Sequence, residues 1–341
     1  MEEVNPDAIA TLLKPPQENL SAERHLLIAK IRRWGGVTTD ALLHPACQFF
    51  SISDSEGIIG YRSEWGCEVV LGDPICAKAD LPKLAQAFQV HCQKNGRHII
   101  YLAASEQFKA WATAHLGMAS IEFGKECHLD PCDDPRKGSG GSLVRRKVRH
   151  AIQAGITVEE YRAHDENLQQ AIEQASLAWL KGRKGLQIHL SQVCLFADQV
   201  GKRWFYAKLA EKVVGVVVLN QLQAKSGWLL NHLMITSEAP HGTQEMLVII
   251  ALEALQREGC HFVSFGNVST EKLGAIIGMG KTSSWVAHGA YAVANRLFHL
   301  EGLMKFWDKF QPQGEPSYLL FSEKHIGLCE VWSLLRTLNV L

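Results

Sequence analysis

Between Gln48 and Leu129 the apolar positions switch between two periods. Short runs of β character come first, at Gln48–Ser53, Gly57–Ser63 and Glu68–Leu71. Leu81–Lys94 then spaces its apolar residues as a helix does, His98–Ala103 predicts a strand, Glu106–Leu116 a helix, and Ser120–Leu129 a strand. The second half repeats this order. Ile156–Tyr161 predicts a strand and Glu166–Leu180 a helix. Trp204–Leu209, Val213–Gln221 and Gly227–Ile235 predict three successive strands, the middle one with the near-continuous apolar pattern of a buried strand. A helix over Thr243–Glu258, a strand at Phe262–Gly266, mixed structure and a helix near Leu300–Phe310 follow. Strands first, then strands alternating with helices, predict an α/β protein with mixed sheets, and the repeated order predicts a duplicated unit.

Between the halves, residues 133–142 read DDPRKGSGGS, without one aliphatic or aromatic side chain. That break divides the chain into an extension at 1–19, a first domain at 20–135, a second at 136–325 and a tail at 326–341. Just after it, a linker helix at 143–154 turns Leu143, Val144, Val148, Ala151 and Ile152 to one face and ends at Gly155. An opening helix, Leu20–Trp34, would bury Leu20, Leu26, Leu27 and Ile31. The tail sets Leu328, Val331, Trp332, Leu335 and Leu338 at helical spacing, the pattern of a helix that packs on the body, self-associates or lies on a membrane.

Charge narrows the partners. Lys+Arg 35 against Asp+Glu 35 gives a net charge of 0, so no global field draws the chain to a polyanion, DNA is not expected, and any polyanion must meet a local patch. The 9 cysteines are scattered with no C-x-x-C, which predicts free thiols in a reducing compartment. Cys127, His128 and Cys132 come nearest to a metal cluster, but no second pair answers them, and no metal is expected. The opening MEEVNPDAIA lacks the basic and apolar regions of a secretory signal, and no apolar run approaches the roughly 18 residues that span a bilayer. The expected location is cytoplasmic, at most peripheral at the inner membrane face.

Strands, a central helix after a short turn and a further strand are the order of the acetyltransferase-like GNAT fold, whose chemistry is acyl transfer. Ser237–Leu247, SEAPHGTQEML, would form the turn: Gly242 lets backbone amides approach a ligand, Thr243 can cap the helix, and the helix N-terminus favours an anion. A capped helix with no ligand fits the same residues.

Five segments then carry a resemblance. WGCEVVLGDPI (65–75), VRRKVRHAIQAGITVEEY (144–161), HLM…APHGT (232–243), REGCHFVSFGN (257–267) and LFHLEGLMKFWDKFQPQGEPSYL (297–319) occur in one order. In that order they resemble the C-terminal cytoplasmic domain of phosphatidylglycerol lysyltransferases, the multiple peptide resistance factors, over about residues 20–325. The LGDP turn and the closing EGL…F…KF.P…EP.YL signature are its most specific parts. The resemblance implies tandem GNAT-like domains that take an aminoacyl group from aminoacyl-tRNA and place it on a lipid hydroxyl. In the membrane enzymes a many-helix flippase precedes this domain; the present sequence shows none, so lipid would be met at the membrane surface.

An aminoacyl ester is already activated, so no cofactor is expected beyond the aminoacyl-tRNA donor. The site needs a base, an oxyanion stabiliser and correct placement. His232, Glu238 and His241 are the candidate bases. Gly242, Thr243, Asn267, Glu271 and Lys309 are the candidate substrate-binding residues. Two departures stand out: His232 and Ile235 occupy positions where the family's lipid-active members resemble Asp-Leu-Met-Arg, and Trp307 and Ser317 occupy positions that commonly carry Lys and Arg. Both weaken the case for a phosphate-bearing acceptor. For the donor, Arg136, Lys137, Arg145, Arg146, Lys147 and Arg149 cluster beside the glycine-rich break and could track tRNA phosphates; a solvated helix face explains the same cluster. Trp179 with Lys181, Arg183 and Lys184 is a second basic run, its tryptophan suited to stacking on a base or to the core. Two rival functions remain: an acyl-CoA N-acyltransferase, which would need an R/Q-x-x-G-x-G/A loop that APHGT does not supply, and a non-catalytic tRNA- or membrane-binding relative.

Overall fold

The computed structural model describes residues 22–338 apart from 163–164, 183–194, 197 and 299. The extension at 1–19, Leu20, Arg183 and Lys184 therefore lie outside the described residues. The first half runs α1 (Ala22–Trp34), β1 (Gln48–Phe50), β2 (Ile59–Glu64), β3 (Cys67–Leu71), α2 (Leu81–Lys94), β4 (His98–Ser105), α3 (Glu106–Leu116) and β5 (Ala119–Leu129). The second runs α4 (Ser142–Gln153), β6 (Ile156–Glu160), α5 (Glu166–Gly182), β7 (Lys202–Leu209), β8 (Lys212–Leu222), β9 (Gly227–Ile235), α6 (Thr243–Arg257), β10 (Val263–Ser269), β11 (Ile276–Ile277), α7 (Lys281–Phe298), α8 (Leu300–Trp307), β12 (Gln313–Phe321) and α9 (Leu328–Thr337).

The strands form one 12-stranded sheet in the order β1-β2-β3-β4-β12-β5-β10-β9-β8-β7-β6, with β11 paired to β5. Two of its neighbour pairs are parallel, β3 with β4 and β9 with β10, and each is joined through a helix, α2 or α6. That repeated β–α–β crossover, preceded each time by antiparallel strands, is the tandem GNAT-like α/β arrangement the resemblance implies. In the first half α2 and α3 cover one face, with Leu84, Phe88 and Phe108 packed against Tyr101 and Leu320. Ile31, Ala287 and Leu334 of α1, α7 and α9 cover the other. In the second half α4, α6 and α8 pack Val144, Leu247 and Trp307 against Val217, Leu219 and Phe265, while α5 sets Ile172 and Ala175 against Val216, Val218 and Met234. Trp179 packs beside that last cluster, in the core role.

The sequence pattern missed β12, which inserts between β4 and β5 although Pro316 sits within it. Proline cannot donate to a ladder, so it argues against an interior strand. The register resolves the conflict: Pro316 pairs only with Lys125 of β5, and pairing to β4 starts one residue later at Ser317↔Ser105. The missing N–H therefore falls beyond the end of β4. Three faces also differ from expectation. Leu26 and Ile152 are exposed, while Ile28, Ile31 and the Arg32 side chain fill the α1 contact. In α9 the buried positions are Glu330, Ser333 and Thr337, whereas Leu328 and Trp332 face outward. Polar bonds to β2 decide this: Ser333 Oγ donates to the Glu64 carbonyl (2.8 Å) and Arg62 Nη1 donates to the Thr337 carbonyl (2.7 Å).

Candidate functional site

The parallel strands β9 and β10 pair only at Trp228↔Val263 and Leu229↔Ser264. Both then continue, β9 to Ile235 and β10 to Ser269, without further pairing to each other. Each is bulged just past that fork: the β8–β9 register shifts between Leu230 and His232, and the β10–β5 register shifts between Ser264 and Gly266, where Gly266 takes a positive φ of 83°. A bulge re-aims the strand that carries it, so the two arms turn apart.

Counting from the last paired residues, His232 and Asn267 stand at the same level on the two arms. Paired residues in an antiparallel ladder share a face. His232, paired with Val218, therefore lies on the α5 face with Met234, opposite α6. Asn267 pairs with Glu126 of β5, and because its neighbours Gly266 and Val268 pair with Cys127 and Lys125 on the α6-side face, it turns to the face opposite α6, as His232 does. Its Nδ2 is buried without a hydrogen-bond partner. Glu126 accepts from Lys225 Nζ at 3.1 Å, and Glu315 completes a carboxylate pair about that ammonium at 4.0 Å. A half-buried imidazole and an unpaired amide donor thus flank the fork.

The other candidates fall elsewhere. Gly242 is the N-cap of α6, in a left-handed conformation (φ 96°), but its missing side chain makes room for α4: a Cβ there would stand 2.0 Å from the Lys147 carbonyl oxygen. What approaches Gly242 is protein backbone. Thr243 is not the cap; it is buried, and its hydroxyl donates to the Pro240 carbonyl at 2.7 Å. Lys309 is committed too, its Nζ 2.5 Å from Oε1 of the buried Glu245 and 4.0 Å from the Phe306 ring centroid. Glu238 makes an exposed pair with Lys212, His241 is exposed, and Glu271 is exposed with its carbonyl accepting from Asn295 Nδ2 (3.0 Å).

The basic cluster divides. Arg136 pairs with Asp134 (2.9 Å) and with Glu253 of α6 (2.8 Å), and Arg145 donates to the Gly138 carbonyl at 2.8 Å, so these two fold the glycine-rich segment onto α4 and α6. Lys137, Arg146 and Arg149 are exposed and Lys147 half-buried, leaving a basic stripe along α4. The two replaced basic positions are core. Trp307 stacks on Phe265 (4.3 Å, 8°), worth about 0.5–1.5 kcal/mol beyond its area, and Ser317 is buried between β4 and β5. Cys127 and His128 are successive β5 residues that turn to opposite faces, and Cys132 instead approaches His261 (3.8 Å).

Sequence reasoning passed over two polar groups. Asp73, in the LGDP turn, accepts from the Ser105 amide (2.9 Å) and hydroxyl (2.6 Å), and Ser105 caps α3 by accepting from the Phe108 amide. Burial pushes the Asp73 carboxyl up, with the Ser105 bonds opposing. The second group is Arg32, Asp40 and Asn220, which ties α1 to β8. Asn220, a buried polar side chain directly after the apolar run Val213–Leu219, is the signal that could have found it.

A fold of two joined β–α–β units with one forked parallel pair defines an acyltransferase-like α/β architecture. The model of the family "Phosphatidylglycerol lysyltransferase, C-terminal" matches residues 35–321, and the chain belongs to that family. Among curated relatives, the lysylphosphatidylglycerol biosynthesis bifunctional protein LysX of Mycobacterium marinum is 26% identical over 289 residues, 80% of this chain and 25% of the relative. The chain thus spans about a quarter of the curated relatives it matches. Among solved structures, the C-terminal domain of a putative lysylphosphatidylglycerol synthetase from Agrobacterium fabrum superposes with a TM-score of 0.74 at 17% identity, covering 91% of this chain and 94% of that one. L-PGS from Bacillus licheniformis gives 0.73 at 18% identity, covering 96% and 99%. No described helix is long and apolar enough to cross a membrane.

Proposed function

We propose that the chain is an aminoacyltransferase that moves an aminoacyl group from aminoacyl-tRNA to a hydroxyl or amine of a lipid, phosphatidylglycerol-like in class, at the forked end of β9 and β10. The observation that carries this reading is the family match over 35–321 together with the fork it contains. His232 takes the proton of the attacking hydroxyl or amine as that group adds to the ester carbonyl. The carbon–oxygen bond to the terminal ribose breaks, and the proton returns to the departing tRNA hydroxyl. Asn267 Nδ2, buried and unpaired, is the donor suited to the oxyanion. The stripe of Arg146, Lys147 and Arg149 on α4, with Lys137, supplies phosphate contacts for the tRNA acceptor end. Packing of α4 on Gly242 supports this donor over acyl-CoA, because the Lys147 carbonyl occupies the approach that a pyrophosphate would use.

The test incubates purified protein with radiolabelled aminoacyl-tRNAs and total lipid extract, then separates organic and aqueous phases. Label in the organic phase identifies donor and acceptor together. Label that stays on tRNA while a gel shift still shows tRNA binding rejects lipid transfer and favours the binding-only relative.

A further inference from the structure

Beneath α9 the structure gathers four metal-binding side chains that the sequence spreads from residue 67 to residue 330. Cys67 and His98 are register partners at the start of the parallel strands β3 and β4. Glu330, in the first turn of α9, is buried, and its Oε1 lies 2.8 Å from His98 Nδ1 while its Oε2 accepts from the Gly327 amide (2.8 Å). One ligand atom from each of Cys67, His98 and Glu330 falls within 4.8 Å of the other two. Cys329, the residue before Glu330, places its sulfur 4.0 Å from that of Cys67 and donates to the Trp65 carbonyl.

We propose that Cys67, Cys329, His98 and Glu330 form a zinc-class metal site that clamps the C-terminal helix α9 onto β3 and β4. The donor set is the thiolate, imidazole and carboxylate mixture that suits a borderline-soft divalent ion. Spacing agrees. Two thiolates at about 2.3 Å from one tetrahedral zinc stand roughly 3.8 Å apart, close to the 4.0 Å found, whereas a disulfide would hold the sulfurs at about 2.05 Å. An imidazole nitrogen and a carboxylate oxygen on the same ion stand roughly 3.3 Å apart, so the His98–Glu330 hydrogen bond opens by about half an ångström to admit it. Around the cluster, Ser333 and Thr337 already bond α9 to β2, and Trp332 stacks on Trp65 (6.2 Å), so the helix arrives with its first turn over the donors. The family match ends at residue 321, before α9, so half of the donor set comes from a segment outside it. The second group of this kind, Asp130, Cys132 and His261, offers one thiol and an exposed imidazole.

The test uses the full chain, reduced and stripped of metal by chelation, titrated with Co²⁺ and then Zn²⁺. One equivalent of Co²⁺ is expected to give a thiolate-to-cobalt charge-transfer band that Zn²⁺ bleaches, and Zn²⁺ is expected to raise the melting temperature. His98→Gln and Glu330→Gln should each weaken Zn²⁺ binding by about ten-fold or more, Cys329→Ser should lose most of the band, and Cys132→Ser should change nothing. Cys67 is fully buried, so its variant is read only where far-ultraviolet circular dichroism shows a folded protein; the half-exposed Cys329 and His98 carry the test without it. Absence of both band and melting shift in the wild type overturns the proposal. So does a band that survives Cys329→Ser and His98→Gln but disappears with Cys132→Ser, or a thiol titration before reduction that finds Cys67 and Cys329 joined as a disulfide.

Discussion

The two parallel strand pairs have the same connection and opposite fates. In the first half β3 and β4 pair through five register positions, Cys67↔His98 to Leu71↔Leu102, and β12 covers the other edge of β4. In the second half β9 and β10 pair at two positions and part, with a bulge on each arm. The zipped pair is hydrogen-bonded along its length and buried under α2 and α3 on one face and under α1, α7 and α9 on the other. The forked pair leaves His232 and Asn267 on arms that do not pair with each other, where we propose the site. The same order of elements thus gives one closed pair and one open pair, and the difference lies in bulges and in a borrowed strand.

The sharpest way to break the comparison is at the fork itself. His232→Ala is expected to lower aminoacyl transfer by about 10²–10⁴-fold, the usual worth of a positioned acid–base group, with the melting temperature unchanged, since His232 is half-buried on a strand whose core contacts come from Met234 and Leu230. Tyr101→Phe provides the matching change in the zipped half. The Tyr101 hydroxyl is buried without a partner, so its loss should leave transfer intact and stability equal or slightly higher. Initial rates in the phase-partition assay decide it; comparable losses in both variants would end the division of labour.

Next in size is the seat of α6. Gly242→Ala forces a Cβ to within 2.0 Å of backbone that cannot swing aside, at a φ of 96° that side chains rarely adopt. A loss of roughly 3 kcal/mol is expected from strain and the displaced α4, measured by urea unfolding. The equivalent helix of the first half starts at Asp80 with an ordinary φ of −87°, so Asp80→Ala should cost no more than about 1 kcal/mol. Equal costs would mean that α4 does not grip the second helix as the distance implies.

How far the sequence disclosed this follows from which interactions are local. The helices Leu81–Lys94 and Glu106–Leu116 and the strand Gly227–Ile235 were legible to the residue, because periodicity reports a face and caps report an end. α7 was not: its Thr, Ser, Val and Gly289 give weak helix propensity, and contacts with the sheet hold it. β12 was hidden by Pro316, whose position beyond the end of β4 no local rule supplies. At the site, His232 and Asn267 could be named as residue types near strand ends, but their equal level on the two arms depends on the β9–β10 register. Gly242, Thr243 and Lys309 carry a signal that two functions share, since an anion, a packed helix and a buried carboxylate all call for the same residues. The structure gives Gly242 to Lys147, Thr243 to Pro240 and Lys309 to Glu245.

The smallest effect belongs to the zipped half, where Asp73 ties the end of β3 to the start of α3. Asp73→Ala strips the acceptors from the Ser105 amide and hydroxyl and should cost about 1–3 kcal/mol without changing transfer per folded molecule. Asp73→Asn keeps a carbonyl for the amide and should cost less, and it isolates the charge. Burial holds the Asp73 carboxyl above its ordinary value in the folded chain, so the folded state binds that proton more tightly than the unfolded one. The contribution is therefore fully present below the unfolded value, declines as pH rises through the folded value, and stays lost above it. Urea unfolding from pH 3.5 to 7 should show that decline in the wild type and a flatter profile in Asp73→Asn. An identical pH profile for the two proteins would mean that Asp73 is ionised at no cost and that the LGDP turn is held by the Ser105 bonds alone.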